Sequence, residues 1–398
     1  MPNYTHVQFI SWEIYTGPNK GPFPWDMAAR GQSYTGLGGL GDKRIDINGQ
    51  MEDIEARVAF TSNAMDAAHR LADPTETTLK VFMAPEFLYR GAGGAYLHDL
   101  INGWQSTPPA DLAAAGLPTP YAGLFGSLQQ FAGHANYDNW LFVFGTAISA
   151  SFPVRKVDGK WVMDLTQNAE IYNTALIQRG GLGNTSDNYA SRKHYISGID
   201  FIDWWLAAGI HASGNVVPAD PAALAPVEGE IEGSATFTIN GINDNAGVPF
   251  PLGLEVCLDH ASSGGDGANP WGRIRTDNRW VKLQLVPSGG MSLVPASIRL
   301  LPSAGPTPYS YAFNCDGLTT KPAYNWGSHT QIWNGANGAD PVPPANQLIT
   351  ASTGGVVANT QVAPVIGTVM TANGIAINDN QLWDLGSGHV RVMQPMQL

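Results

Sequence analysis

Apolar and polar positions fall into short blocks along this chain. Residues 6–12 alternate well enough to predict a first strand. A Gly/Pro/Asn-rich loop follows, from 17 to about 49. Met51, Ile54, Val58, Met65, Ala68 and Leu71 then recur largely at three- and four-residue steps, with charges on the other face, which predicts an amphipathic helix. Asn48 or Gly49 begins it and Pro74 follows its end. The apolar run 79–84 reads as a buried strand that stops at Pro85-Glu86. A helical stretch at 121–135 precedes an apolar strand at 140–148. After a turn at Asp158-Gly159-Lys160 comes a strand at 171–178, closed by Gly180-Gly181. Further strands are predicted at 235–239, 252–258, 281–286, 309–314 and 329–333.

Strand–helix–strand order in the first half predicts an α/β sheet, and the later strands an antiparallel or mixed portion. Past residue 341 the composition turns to Ala, Pro, Asn, Gly and Thr, with strand-like pieces at 365–370 and 389–393. We therefore expect a large domain over 1–340 and an extension over 341–398 that packs on it or on a neighbouring subunit. No period of 20–50 residues recurs, which argues against a repeat architecture.

Composition narrows the function classes. The chain has 398 residues, 43% hydrophobic and 14% charged, with 46 glycines and 28 prolines, which suits a loop-rich, compact protein rather than a helical bundle or a disordered chain. A formal net charge of −12 argues against nucleic acid as a partner, because phosphate binding needs a basic face. Two cysteines, Cys257 and Cys315, cannot make a disulfide framework, so a reduced compartment is expected. The start, Met1-Pro2-Asn3-Tyr4-Thr5-His6, lacks a signal-peptide pattern, and no apolar run reaches membrane-span length. The expectation is a cytoplasmic protein with no membrane contact. The nine histidines show no tight metal-ligand spacing, so neither a metal nor another cofactor is expected.

Candidate chemistry sits at strand ends, where the ligand sites of open α/β sheets collect. Glu86 follows Val81-Phe82-Met83-Ala84-Pro85, and Cys257 ends Leu252-Gly253-Leu254-Glu255-Val256. Lys193 lies in Ala190-Ser191-Arg192-Lys193-His194, after the strand at 171–178 and a Gly-rich turn. A thiolate is a strong nucleophile but needs a base to take its proton. A carboxylate in a dry site can serve, because desolvation raises its pKa toward neutrality. A buried lysine can stabilise the oxyanion formed when sulfur attacks an amide carbonyl. Glu, Lys and Cys are thus a sufficient set for acyl transfer.

Ala84-Pro85-Glu86-Phe87, Ser191-Arg192-Lys193-His194 and Gly253-Leu254-Glu255-Val256-Cys257-Leu258-Asp259 together resemble the signatures of the nitrilase superfamily, the carbon–nitrogen hydrolases. The order Glu, Lys, Cys agrees. Phe144-Gly145-Thr146, Ile171-Tyr172-Asn173-Thr174-Ala175, Val286-Pro287-Ser288 and Gly327-Ser328-His329 resemble further family pieces, and the likeness covers about 5–340. It implies an α-β-β-α four-layer sandwich, paired across subunits as a homodimer or higher homo-oligomer. It implies Glu86 as general base, Cys257 as nucleophile, and Lys193 with the backbone N–H of Leu258 as oxyanion hole. Asp200 and Asp203 are the candidates for a second active-site carboxylate. Tyr89, His194, Trp204 and His260 are the candidates for the substrate pocket.

The chain departs from the family at several points. The spacings around Lys193 are wide, which places insertions at 90–120 and 205–235. Leu258-Asp259 stands where true nitrilases place Trp-Glu, which favours amide over nitrile hydrolysis. The expected activity is hydrolysis of a non-peptide C–N bond in a small amide-like substrate, through a cysteine thioester. The alternatives are an acyltransferase or amide-forming enzyme using the same thioester, and nitrile hydrolysis. The glycine-rich segment 261–267 leaves the substrate open. Gly36-Leu37-Gly38-Gly39-Leu40-Gly41 formally matches a dinucleotide fingerprint but does not join a strand to a helix, so it reads as a mobile loop near the site entrance. Phe201, Trp204, Trp205, Trp271 and Trp280 read as pocket, core, lid or subunit contact.

Overall fold

The computed structural model describes residues 3–17, 35–37, 46–92, 94–164, 167, 169–195, 200, 216–218, 234–261, 271–301, 309–320, 326–335, 339–352 and 357–398. Two large β-sheets form its centre.

The first sheet is built on β1 (His6–Glu13), β2 (Thr78–Met83), β3 (Trp140–Ala150), β4 (Ala169–Arg179) and β5 (Asn188–Arg192). β1, β2 and β3 run parallel, whereas β4 and β5 are antiparallel to their neighbours. The second contains β6 (Thr236–Phe237), β7 (Leu252–Leu254), β8 (Leu283–Ser288), β9 (Tyr311–Thr320), β10 (Trp326–Asn334) and β11 (Gln347–Ser352), in that order across the sheet. β7, β8 and β9 are parallel, and the rest of this sheet is antiparallel.

Side-chain alternation explains how the sheets stack. Val7 and Phe9 point one way from β1, and Ile10 and Trp12 the other, as period two demands. The first set joins Val81, Met83, Val143 and Ile177 against Leu254, Leu285, Phe313 and Ile332 in one apolar layer between the sheets. Phe9 meets the Tyr311 and Phe313 rings at 5.6 and 4.9 Å. The opposite face of the first sheet, with Trp12, Phe82, Phe142 and Phe144, packs on α1 (Ile47–His69) and α2 (Gly123–Ala132). The Asp46 carboxylate accepts the Asn48 N–H at 3.2 Å and caps α1, so the helix starts slightly before the predicted Asn48 or Gly49.

The outer face of the second sheet is where the fourth layer of the expected sandwich would lie. Among the described residues it carries a third core around Ile274, Val281, Val286, Ala312 and Trp333, covered by a one-turn helix, Arg273–Thr276, a 3₁₀ turn, Pro295–Ser297, and loops. Helix–sheet–sheet layering is therefore present, but a long outer helix on this face is not found among the described residues.

The 341–398 extension enters both sheets. β11 lies at the edge of the second. β12 (Thr360–Pro364) and β13 (His389–Met393) extend the first, with β13 paired antiparallel to β1 over Ile10–Val392 to Glu13–His389. Ionic contacts lock this seam. Arg391 donates to Glu13 from Nε at 2.8 Å and from a terminal nitrogen at 3.0 Å, and His389 Nε2 lies 2.8 Å from the same carboxylate. Among the described residues no helix is long and apolar enough to cross a membrane.

Candidate active site

The three predicted residues sit just past three strand ends. Glu86 lies beyond β2, Lys193 follows β5 directly, and Cys257 lies beyond β7. β7 is shorter than the predicted 252–258 strand. Its ladder stops at Leu254, after which the Glu255 and Cys257 N–H groups still bond the Leu285 and Pro287 carbonyls at 3.1 Å each. Cys257 then adopts φ +48°. Such left-handed backbone costs a non-glycine residue roughly 1–2 kcal/mol. It turns the chain from strand into α3 (Leu258–Ala261) at the cysteine. Leu258 is the first residue of α3, where helix geometry leaves N–H groups without intrahelical acceptors.

Lys193 is the hub of the cluster. Its Nζ donates to Glu86 Oε1 at 2.9 Å and to Asp200 Oδ1 at 2.7 Å, and all three side chains are fully buried. Asn173, in the middle of β4, donates from Nδ2 to the same Glu86 Oε1 at 2.8 Å. Glu86 Oε2 is buried with no hydrogen-bond partner among the described residues. Gly289 closes this side. A Cβ there would stand 3.1 Å from Oε2 and 2.6 Å from the Phe87 ring, and the Gly289 carbonyl accepts the Cys257 thiol at 3.9 Å. Glu86 and Cys257 thus flank one glycine.

The backbone around Glu86 is fixed from three sides. Its N–H reaches the Ser288 carbonyl at 3.3 Å, its carbonyl accepts Thr16 Oγ1 at 2.6 Å, and the next N–H, of Phe87, donates to Thr146 Oγ1 at 2.9 Å. Phe87 has φ +66°. Its ring lies 4.3 Å from the Arg90 guanidinium and 5.8 Å from Lys193 Nζ.

Electrostatics follow from burial. Desolvation pushes the Glu86 carboxyl up to about 7, with Lys193 pulling it down and Asp200 pushing it further up. Burial also works against the Lys193 charge, yet the Asp200 and Glu86 carboxylates hold it well above the ordinary lysine range. Burial and the Glu86 charge push the Cys257 thiol well up, against Lys193. The resting pair is therefore a protonated thiol beside a carboxyl poised near neutrality, the arrangement general-base activation requires.

Asp259, two residues after Cys257, ties the segment of the cysteine to that of the lysine. Its carboxylate accepts the Tyr195 N–H at 2.8 Å and the His194 N–H at 3.1 Å, and Arg273 donates to it at 3.2 Å. Burial raises its pKa to about 6 against these partners.

The remaining candidates separate. Asp200 joins the cluster through Lys193, and its carbonyl accepts an Arg90 guanidinium N–H. Asp203 and Trp204 lie outside the described residues, as do Phe201, Trp205, Gly38 to Gly41 and 262–267. His194 is half-buried, and its Nε2 has no hydrogen-bond partner among the described residues. Burial and Arg273 depress its pKa to about 4, so the ring is neutral at neutral pH.

Two pocket expectations need correction. The Tyr89 ring is buried and its hydroxyl pairs with Thr61 Oγ1 of α1 at 2.7 Å, on the helix side of the sheet. His260 has no exposed surface; its Nε2 accepts the Val294 N–H at 3.0 Å and its Nδ1 lies 2.7 Å from Glu255 Oε2, so both nitrogens serve internal bonds. Trp280 lies under the Arg299 guanidinium at 3.8 Å, and Trp271 is exposed beside Arg275. The loop expected to be mobile is pinned at its described start, where the Leu37 N–H donates to Asp53 at 2.6 Å. Among the described residues no cluster of His, Cys, Asp or Glu is arranged to hold a metal ion.

Asn173 is the contact that the sequence reading did not single out. Its signal was there: it is a polar residue with the inward parity of Ala175 and Ile177.

No family model matches this chain, and no curated protein matches it. Among solved structures, an N-terminal amidase with a Gln-Val peptide is similar at 12% identity and a TM-score of 0.30, over 72% of this chain and 48% of that one. The same amidase alone and with an Asn-Glu-Ala peptide aligns at 10% identity, with TM-scores of 0.31 and 0.32, over 76% of this chain. This chain spans about half the length of those structures.

Proposed function

We propose that the protein hydrolyses a non-peptide amide bond through a thioester on Cys257, as a member of the nitrilase superfamily. One observation carries the reading. Glu86, Lys193 and Cys257, far apart in the chain, meet in one buried cluster: Lys193 bonds Glu86, Glu86 and Cys257 flank Gly289, and burial pushes the Glu86 carboxyl up to about 7 and the Cys257 thiol well up.

Glu86 takes the Cys257 proton as sulfur attacks the amide carbon and an S–C bond forms. The carbonyl oxygen becomes an oxyanion. Lysine has three N–H donors, two of which are directed at Glu86 and Asp200, and the third, with the Leu258 N–H, meets this oxygen. When the tetrahedral adduct collapses, the C–N bond breaks and protonated Glu86 gives its proton to the departing nitrogen. Ammonia or an amine leaves. Water then loses a proton to Glu86 and attacks the thioester. The C–S bond breaks, the acid departs, and the proton returns to sulfur. Asp200 keeps Lys193 charged throughout, so the amine cannot compete with Glu86 for the thiol proton.

The test is turnover of primary amides, N-substituted amides, ureas and nitriles by the wild-type protein and Cys257→Ala, followed by release of acid and of ammonia or amine. We expect the variant to lose at least about a thousandfold in kcat on whichever substrate turns over. Full turnover by Cys257→Ala would end this reading. Preference for a nitrile would redirect the substrate class.

A further inference from the structure

The two oxygens of Glu86 are not equivalent. Oε1 receives both donors, Lys193 Nζ at 2.9 Å and Asn173 Nδ2 at 2.8 Å. Oε2 receives none among the described residues and faces Gly289, whose carbonyl accepts the cysteine thiol. Asn173 also holds the lysine, because its carbonyl accepts the Lys193 N–H at 2.7 Å. One buried residue therefore grips the base by its side chain and the lysine by its backbone. We propose that Asn173 is a positioning residue that, with Lys193, saturates Oε1 and so makes Oε2 the atom that accepts the Cys257 proton.

The reasoning is geometric. A carboxylate with both donors on one oxygen cannot rotate without breaking charge-assisted bonds, which are the stronger class. Its free oxygen stays fixed toward the glycine whose carbonyl accepts the thiol. Lys193 alone gives a weaker constraint, since its flexible ammonium is shared with Asp200. The planar amide of Asn173 sets the carboxylate's orientation. This proposal rests on the reading of Glu86 as the base.

The groups that bear on Glu86 are Lys193, Asp200 and Cys257, with Arg90 held on the Phe87 ring. Asn173 adds a donor that favours the ionised carboxyl. Its removal therefore raises the pH at which Glu86 becomes a base.

The test uses the full chain and iodoacetamide. Alkylation at Cys257 is followed by peptide mass from pH 5.5 to 9 in wild-type protein, Glu86→Gln, Asn173→Ala and Asn173→Asp. The wild-type rate is expected to rise through an inflection near neutrality that Glu86→Gln abolishes. In Asn173→Ala that inflection moves upward by roughly one pH unit, a tenfold change in the acid constant. Asn173→Asp keeps the residue's shape, replaces the donor by a carboxylate, and moves the inflection further. Circular dichroism checks the fold, and Asn173→Asp decides the question where Asn173→Ala does not fold. Folded Asn173 variants with the wild-type inflection would overturn the proposal while leaving Glu86 as base. A Glu86→Gln profile identical to wild type would instead remove the base reading, and this inference with it.

Discussion

At the scale of single residues, the site depends on a carboxyl kept from water. Glu86 has its pKa raised from an ordinary 4.5 to about 7, so its contribution to stability is complete below about pH 4.5 and is lost as pH rises through 7. Glu86→Gln should therefore be more stable than wild type at pH 8, by on the order of 1–3 kcal/mol, with the gain shrinking toward pH 5. Thermal melts of both proteins at several pH values measure this, and a variant less stable than wild type at pH 8 contradicts it. His260 should behave as a structural residue. His260→Ala breaks the contacts with Glu255 and Val294 and should lower stability by about 2–4 kcal/mol in urea unfolding. Glu86 and Cys257 stood out in sequence because each follows an apolar run, whereas Lys193 stood out only through the resemblance of Ser191-Arg192-Lys193-His194 to a family signature. The directions of Tyr89 and His260 were not, because nearness along the chain does not say which way a side chain points.

At the scale of elements, the site is made by how strands end. β7 gives up its ladder after Leu254, and the positive φ of Cys257 starts α3. Alternating hydrophobicity carried the sequence reading on to 258, since Val256 and Cys257 remain buried and apolar beyond the last strand residue. β5, over Asn188–Arg192, was invisible because Asn188, Ser191 and Arg192 dilute its apolar signal. The segment after β8 shapes the cluster alongside the one that carries Cys257. Gly289→Ala would place a methyl carbon 2.6 Å from the Phe87 ring and 3.1 Å from Glu86 Oε2. We expect it to cost about 1–3 kcal/mol in stability and to lower the iodoacetamide reactivity of Cys257 by at least roughly tenfold. Denaturant midpoints and labelling rates read the two effects separately, and wild-type labelling would contradict the arrangement.

At the scale of the whole molecule, the final stretch is part of the sheets. The sequence marked a change of composition after 340 and located His389–Met393 as a strand. It could not show that this strand lies against β1, because pairing across more than 370 residues leaves no local pattern. Burial opposes the Glu13 charge, but hydrogen bonds from His389 and Arg391 hold its pKa below the usual range. Its stabilising share is thus present above about pH 4.5 and lost as pH falls through its lowered pKa. Arg391→Ala leaves Glu13 buried without its main partner, and we expect a loss of about 3–5 kcal/mol, read by denaturant unfolding at pH 7. A near-neutral effect would mean that the seam is held by packing alone. Among the described residues, loops and one-turn helices cover the apolar outer face of the second sheet. The central claim remains the thioester. It is tested most directly by mixing the protein with the amide panel, quenching in acid and mapping mass by peptide. The account predicts an added acyl mass on the peptide that contains Cys257 and none on the one that contains Cys315. Turnover of an amide with no acyl mass on Cys257 at any quench time, and with Cys257→Ala equally active, would contradict it.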